Sequence, residues 1–206
     1  MRWTERRRMA ISGGLTVLAA ALALWAHKPW SGWAALAMAV STVGDGLLAG
    51  YPACFRPVKN KLIKGGAVFF AAHCLYILAL IKASGENVKA LLPLLLIPGL
   101  VFASFTVLHG SLLYFHAGSR PSLGFFAAAM GYLLTAGLHA ALAVCVCARG
   151  GGRLSLNAAG AMLFYLSDFV LLARKLGDVG GKYTTDLIWL TYIPAQLCLM
   201  AGFFLA

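Results

Sequence analysis

The sequence predicts an all-α protein, a polytopic bundle of transmembrane helices. Hydrophobic residues make up 61% of the chain and charged residues only 11%, with a mean hydropathy of +0.84. Soluble domains carry about a quarter charged residues. The apolar residues are also grouped into stretches of the roughly 20 residues needed to cross about 30 Å of hydrocarbon. Little sequence remains between these stretches, so we expect a single integral membrane domain over residues 1–206.

Seven apolar stretches meet this length requirement, and each predicts one span. They cover approximately 9–26, 33–50, 63–82, 88–114, 122–147, 155–174 and 185–206. The first follows the basic run 6–8, as a signal peptide would. Because it is long for the apolar region of a signal peptide and ends without a small-x-small cleavage site, we expect an uncleaved anchor.

The fourth stretch is unusually long and contains Pro93, Pro98 and Gly99. One interpretation is a single kinked helix, and the alternative is a pair of short helices. The choice matters because an additional crossing would invert the topology of every later span. We expect the single helix, and therefore seven spans.

The positive charges are distributed unevenly between the two sides of the predicted bundle. Of the 17 Lys and Arg residues, twelve fall on the side of the N-terminus: Arg2, Arg6, Arg7, Arg8, Arg56, Lys59, Lys61, Lys64, Arg120, Arg174, Lys175 and Lys182. Since cytoplasmic loops are enriched in basic residues, this bias predicts a cytoplasmic N-terminus and an external C-terminus. The net charge of +11 thus indicates contact with anionic lipid headgroups rather than with nucleic acid.

The five cysteines predict neither a disulfide framework nor a metal site. Their number is odd, and no C-x-x-C pair or zinc-ligand spacing occurs among Cys54, Cys74, Cys145, Cys147 and Cys198. Most lie in apolar stretches, where cysteine behaves as a small hydrophobic residue. We expect no metal and no nucleotide or redox cofactor.

Two of the six acidic residues, Asp45 and Asp168, lie inside predicted spans. A carboxyl group in hydrocarbon is costly, so such residues usually face the bundle interior or a water-filled cavity and mark functional sites. No Lys or Arg lies deep in a span to neutralise them. The alternative is that each is protonated and forms a hydrogen bond between helices.

Other polar side chains enter the membrane from the same side as these carboxyl groups. Asp45 and Asp168 lie five or six residues from span ends, which at about 1.5 Å per residue is roughly 8–9 Å deep. With an even number of crossings between the third and sixth spans, one layer would contain Asp45, His73, Asp168, Tyr192 and Gln196. A buried neutral histidine is often structural, so His73 is a candidate site residue only because these other polar side chains share its layer.

Several nearby residues have both a functional and a packing interpretation. Ser167 either hydrogen-bonds Asp168 or bonds back to its own helix turn. Tyr76 and Tyr192 either orient a carboxyl group or pack in the core. The remaining histidines are expected to be packing or interface residues: His27, His109, His116 and His139.

Four short stretches resemble signatures of the YhhN-type family, the lysoplasmalogenase-like membrane proteins. They are residues 41–48 (STVGDGLL), 66–76 (GAVFFAAHCLY), 166–173 (LSDFVLLA) and 191–196 (TYIPAQ). They match the family patterns GD-x-x-L, F-x-x-A-H-x-x-Y, S-D-x-x-L-x-A and T-Y-x-x-A-Q, in the family's order. Family members usually show eight spans, which is the alternative to our seven. The additional helix would lie between a Lys-Pro pair and the GD motif, but here Lys28-Pro29 stands only sixteen residues before Asp45, which leaves no room for it.

The resemblance implies a hydrolase that cleaves the vinyl ether of a lysoplasmalogen to a fatty aldehyde and a glycerophospho headgroup. The substrate partner would be a lysophospholipid. Asp45 and Asp168 would be the catalytic acid and base, as paired carboxyl groups are in glycosidases. The substrate-binding residues would be His73, Tyr76, Ser167, Tyr192 and Gln196, with Lys64 or Arg174 meeting the phosphate.

Three other functions remain open at this stage. A metal-dependent lipid amidase would need His73 and carboxylates as ligands, although no H-x-x-x-H pair occurs. A proton-coupled carrier would use the buried Asp and His residues as a relay, although no inverted repeat is visible. A structural membrane protein would use them as interhelical hydrogen bonds. The sequence does not indicate an oligomeric state.

Overall fold

The computed structural model of the chain describes residues 4–51, 55, 57, 59–118, 121–150, 154–176 and 183–205. Within these ranges all regular structure is helical: α1 (Glu5–Ala26), α2 (Ser31–Ala49), α3 (Lys61–Ser84), α4 (Val88–His116), α5 (Leu123–Arg149), α6 (Ser155–Leu176) and α7 (Thr184–Phe204). Each of these seven helices is long and apolar enough to cross a membrane. The predicted all-α transmembrane bundle is therefore confirmed.

Local signals explain where several of the helices begin and end. Thr4 caps α1, because its hydroxyl oxygen accepts a hydrogen bond from the Arg7 amide at 3.4 Å. Asn87 caps α4 in the same way, through the Lys89 amide at 2.9 Å. Gly50 ends α2 in the left-handed conformation, with φ of 64°, which glycine adopts without the steric penalty of a side chain. This stop places Asp45 near one end of α2.

The long fourth stretch forms one helix, as predicted. Pro93 and Pro98 lie inside α4, where each removes one backbone hydrogen bond without ending the helix. Within the described residues there is accordingly no eighth span. The spans after α4 keep the directions that the seven-span interpretation gave them.

Six helices surround the core and α4 lies outside them. The contacts run from α1 to α2, α2 to α3, α3 to α5, α5 to α6 and α6 to α7, and α7 touches α1 again. α7 also contacts α2 and α3, whereas α4 packs on α5 and touches α6. Only 11% of the apolar window of α4 is buried within the protein. Consequently α4 is the helix most exposed to lipid.

Glycines allow α2 and α3 to approach closely beside the carboxyl groups. A Cβ atom added at Gly44 would lie 2.7 Å from the Phe69 ring, and one added at Gly65 would lie 2.7 Å from the Leu48 side chain. Small residues at such contacts are how membrane helices pack tightly. The Phe69 ring lines the same cavity as Asp45 and Asp168, and it meets the Tyr192 ring edge-on at a centroid distance of 6.3 Å.

Candidate active site

Asp45 is buried in α2 and is held by hydroxyl groups from two other helices. Its Oδ2 atom accepts a hydrogen bond from the Ser12 hydroxyl of α1 at 2.6 Å and from the Tyr192 hydroxyl of α7 at 2.9 Å. The Ser12 and Thr16 hydroxyls both bond Thr42, one turn before Asp45, at 2.9 Å and 2.7 Å. These bonds fix the direction of the carboxyl group. Asp45 has 6% of its surface exposed.

Asp168 is buried in α6 and is paired with a histidine. Its Oδ2 atom lies 3.0 Å from Nε2 of His73 on α3. Nδ1 of His73 in turn lies 3.2 Å from Nδ1 of His139 on α5. One assignment of protons satisfies both contacts: His73 donates from Nε2 to the carboxylate and accepts at Nδ1 from His139. Asp168 thus ends a three-residue chain that crosses the bundle from α5 through α3.

Tyr132 of α5 supplies a further hydroxyl group beside Asp168. This hydroxyl is buried, lines a cavity together with Asp168 and makes no hydrogen bond of regular geometry within the described residues. Buried hydroxyl groups are usually paired. An unpaired hydroxyl next to a carboxyl group is suited to contact a substrate or a water molecule.

Both carboxyl groups open on the same polar cavity of about 360 Å³. Among its lining residues are Asp45, Asp168, Ser167 and Tyr192. The cavity lies at the end of the bundle where α1, α3 and α7 begin and where α2 and α6 end. Of the predicted layer of polar side chains, Asp45, Asp168 and Tyr192 therefore line one cavity. Its volume lies within the range of about 300–1,000 Å³ that is usual for ligand pockets.

Basic side chains surround the outer part of the polar cavity: Arg8, Lys61, Arg174 and Lys175. The Arg8 guanidinium lies 5.7 Å from the centroid of the Trp189 ring, in a cation–π contact. The Arg174 guanidinium donates a hydrogen bond to the Thr185 hydroxyl. Of the two phosphate contacts expected from the sequence, Arg174 lines the cavity. Lys64 is exposed and is not among the lining residues.

A second, apolar cavity of about 310 Å³ adjoins the polar one. It lies between α3 and α5 and is lined mainly by Leu, Phe, Ala and Gly side chains, with Tyr132 and Asp168 as its polar members. Five residues line both cavities: Leu48, Leu62, Phe69, Asp168 and Leu171. Asp168 is the only ionisable group in this shared set, so it stands where the polar and apolar cavities meet.

The other expected site residues lie behind the cavity walls or join helices. His73, Tyr76 and Gln196 have at most 1% of their surface exposed and line neither cavity. The Tyr76 hydroxyl donates to Oε1 of Gln196 at 2.6 Å, and its ring stacks on that of His139 at 5.5 Å. These residues support the site from the core side.

Ser167 makes neither of the two hydrogen bonds expected of it. Its hydroxyl donates to the backbone carbonyl of Ile188 on α7 at 3.2 Å. The expectation was wrong because it considered only groups on α6, whereas α6 and α7 are closely packed neighbours. Ser167 thus fixes the register of α7, which carries Tyr192.

Several residues of the site were not predicted from the sequence. His139 was expected to be a packing or interface residue, and nothing in its apolar surroundings distinguishes it. Arg8, Ser12 and Thr16 did carry a signal, because their spacing of four places them on one face of α1. A polar stripe on an otherwise apolar span indicates that this face is turned toward the bundle interior.

The described residues contain no group of three or more His, Cys, Asp or Glu side chains placed to share a metal ion. The buried histidines and carboxyl groups are instead arranged as hydrogen-bonded pairs, with Asp168 on His73 and Asp45 on hydroxyl groups. The site can therefore hold protons at defined atoms next to a cavity.

Comparison with known proteins identifies the family. Searches of curated proteins and of solved structures gave no match. The model of the YhhN family matches residues 9–203, a range that contains both carboxyl groups, both buried histidines and Tyr192. Because this match covers nearly the whole chain, the protein belongs to the YhhN family.

Proposed function

We propose that this protein is a membrane-embedded hydrolase that cleaves the vinyl ether bond of a lysoplasmalogen to a fatty aldehyde and a glycerophospho headgroup. The observation that carries the proposal is the placement of two buried carboxyl groups on one cavity with basic side chains at its outer part. Family membership is compatible with a membrane hydrolase. The cavity is suited to a small anionic headgroup joined to an apolar chain.

The chemistry of a vinyl ether needs an acid and a base. Protonation of the β-carbon, on the chain side of the double bond, produces an oxocarbenium ion, and water then adds to the carbon that bears the oxygen. Asp168 borders the apolar cavity and would donate the proton, since the β-carbon belongs to the chain. Asp45 borders only the polar cavity and would accept a proton from the attacking water. Such acid–base steps typically contribute about 10²–10⁴-fold to the rate.

The resulting hemiacetal then breaks down, and each carboxyl group returns to its starting protonation state. Asp45 gives its proton to the glycerol oxygen, the C–O bond breaks, and the hemiacetal hydroxyl passes its proton to Asp168. One water molecule is consumed, and each carboxyl group regains its starting state. Nε2 of His73, 3.0 Å from Asp168, would stabilise the carboxylate while its proton is on the substrate. Tyr192 and Ser12 would hold the Asp45 carboxyl group in position.

Purified protein in lipid nanodiscs provides the test. A lysophospholipid with a vinyl ether chain should release aldehyde, whereas the matching ester and saturated ether lipids should release none, because neither forms an oxocarbenium ion on carbon protonation. A parallel experiment uses the protein reconstituted in vesicles. If the vinyl ether lipid accumulates inside these vesicles and no aldehyde is released, the protein is a carrier and the hydrolase proposal fails.

The basic side chains make a specific prediction for substrate binding. Lys61→Gln should raise KM about two- to fivefold with kcat little changed, because one partly exposed charge pair with phosphate contributes up to about 1 kcal/mol. Lys64→Gln is the matched control, since Lys64 lies one turn along the same helix and does not line the cavity. Steady-state kinetics of both variants decides the matter. Equal KM values for the two would remove Lys61 from the headgroup site.

The proposed orientation places the polar cavity on the cytoplasmic side. The sequence pattern assigns twelve of the 17 basic residues to the side of the N-terminus, and with a cytoplasmic N-terminus an odd number of spans would leave the C-terminus outside. A reporter fused after residue 206 should therefore be active only on the external side of the membrane, and one fused before α1 only in the cytoplasm. A cytoplasmic signal from the C-terminal fusion would contradict this orientation.

A further inference from the structure

We propose that the apolar cavity between α3 and α5 binds the single hydrocarbon chain of the substrate and opens laterally into the bilayer. This inference rests on the proposed function for the identity of the headgroup. It adds the site of the chain and the route by which the lipid enters. The lateral opening is defined by exposed residues of the two helices: Ile63, Ala67 and Phe70 of α3 with Ala128 and Gly131 of α5.

The cavity extends from the bundle interior to the lipid-facing surface. Its inner wall is formed by buried residues, among them Phe69, Ala129, Tyr132 and Leu172. Its outer wall is formed by the exposed residues of the lateral opening. A hydrocarbon chain with its first carbon atoms at Asp168 can therefore pass between α3 and α5 and continue among the surrounding lipid chains.

The chemistry of the walls selects a hydrocarbon chain as the occupant. Nearly every lining side chain is apolar; Tyr132 adds one hydroxyl group, and Asp168 is the only Asp, Glu, Lys, Arg or His among the lining residues. The polar cavity with its basic residues begins at that same carboxyl group. An amphiphile with an anionic headgroup in one cavity and its chain in the other would hold the connecting bond beside Asp168. This is the position that the proposed proton transfer requires.

Two glycines in the cavity wall contribute no side chain to it. A Cβ atom added at Gly66 or Gly131 would meet no other atom within 4 Å, so larger side chains there would project into open space. Both residues line the cavity, one from each wall. Leucine at either position should narrow the opening without disturbing the packing of the core.

Photo-crosslinking tests the chain site without requiring turnover. The probe is an ester-linked lysophospholipid with a diazirine near the end of its chain, added to the protein in nanodiscs. Peptides containing residues 62–70 and 125–132 should be labelled, and an excess of unlabelled lysophospholipid should suppress this labelling. α4 serves as an internal reference for unspecific lipid contact, because it is the helix most exposed to lipid. The proposal would be overturned if α4 were labelled as strongly as α3 and α5. It would also be overturned if unlabelled lysophospholipid suppressed the labelling of α3 and α5 no more than that of α4.

Variants of the opening add a quantitative criterion. Gly131→Leu and Gly66→Leu should each reduce the competed labelling about fivefold or more, because filling an occupied site forces the chain out. Gly124→Leu is the control: Gly124 lies two turns earlier on α5, also has no atom within 4 Å of an added Cβ, and does not line the cavity. Labelling unchanged by both cavity variants would also overturn the proposal.

The activity assay separates this proposal from the proposed function. Gly131→Leu should lower kcat/KM for a long-chain vinyl ether lysolipid while leaving cleavage of a soluble propenyl ether analogue unchanged. If the wild-type protein releases no aldehyde from either substrate but labelling remains competed, the hydrolase proposal fails and the chain site stands. If aldehyde forms and Gly131→Leu cleaves both substrates as the wild type does, the chain site fails and the hydrolase proposal stands.

Discussion

Replacing Asp168 or Asp45 by asparagine is expected to lower kcat for vinyl ether hydrolysis by about 10²–10⁴-fold, the usual contribution of one acid–base group. Asparagine keeps the size of the side chain and its capacity for hydrogen bonds, but it neither donates a proton to carbon nor takes one from water. The fold should survive, because a neutral amide is less costly to bury than a carboxylate. Lysolipid binding should change little, since we propose that the basic residues of the outer cavity bind the headgroup.

The double variant gives a sharper criterion than either single one. Residues that act in one proton cycle lose activity non-additively, so the double variant should be scarcely slower than the poorer single variant. Asp186→Asn is the matched control, because Asp186 lies in the first turn of α7 at the same end of the bundle and lines neither cavity. The experiment measures kcat and lysolipid binding for four variants: Asp45→Asn, Asp168→Asn, the double variant and Asp186→Asn. Near-wild-type turnover in Asp45→Asn or Asp168→Asn would mean that this aspartate only forms hydrogen bonds between helices.

The second large effect is expected at His73, which acts through Asp168. His73→Leu removes the 3.0 Å contact to Oδ2 of Asp168 and should lower kcat about tenfold to a hundredfold, since hydrogen bonds to charged groups contribute about 1.5–3 kcal/mol. His73→Gln should recover part of the loss, because its amide nitrogen can donate from nearly the same position. The shape of the pH–rate profile should also change in His73→Leu, since the group that stabilises the Asp168 carboxylate is gone.

His139 allows a test of whether the chain of contacts matters beyond His73. His139→Leu leaves the His73–Asp168 pair in place and removes the 3.2 Å contact at Nδ1 and the ring stacking on Tyr76, so its effect should be smaller than that of His73→Leu. If His73→Gln is as slow as His73→Leu and both keep the wild-type pH profile, then His73 only fills space in the core.

The helices and the two carboxyl groups could be predicted because they depend on chain length and local composition. Span length follows from membrane thickness, and an acidic residue in an apolar stretch is visible without any knowledge of the fold. The convergence of Asp45 and Asp168 followed from counting crossings. It depended on α4 being a single helix in spite of Pro93 and Pro98, since one additional crossing would have moved Asp168 to the opposite side.

Only some partners of the carboxyl groups could be predicted. His73 and Tyr192 were expected in the same layer as the two aspartates, but the other contacts depend on how each helix is rotated about its axis. In a soluble helix the apolar stripe gives that rotation. These spans are apolar on nearly all faces, so neither His139 nor Tyr132 indicates by its sequence context that it lies near the His73–Asp168 pair. The close approach of α2 and α3 at Gly44 likewise depends on tertiary packing. The polar stripe of Arg8, Ser12 and Thr16 on α1 is the exception, since its spacing alone reveals the inward face.

Hydrolysis of the vinyl ether lysolipid in D₂O tests the central claim most directly. Proton donation to the β-carbon predicts that the aldehyde released by the wild-type protein carries one solvent deuterium at carbon 2, as read by mass spectrometry after reduction to the alcohol. Asp168→Asn should release little aldehyde under the same conditions. Aldehyde without deuterium at carbon 2, or labelled aldehyde formed equally fast by Asp168→Asn, would contradict carbon protonation by the intramembrane carboxyl group.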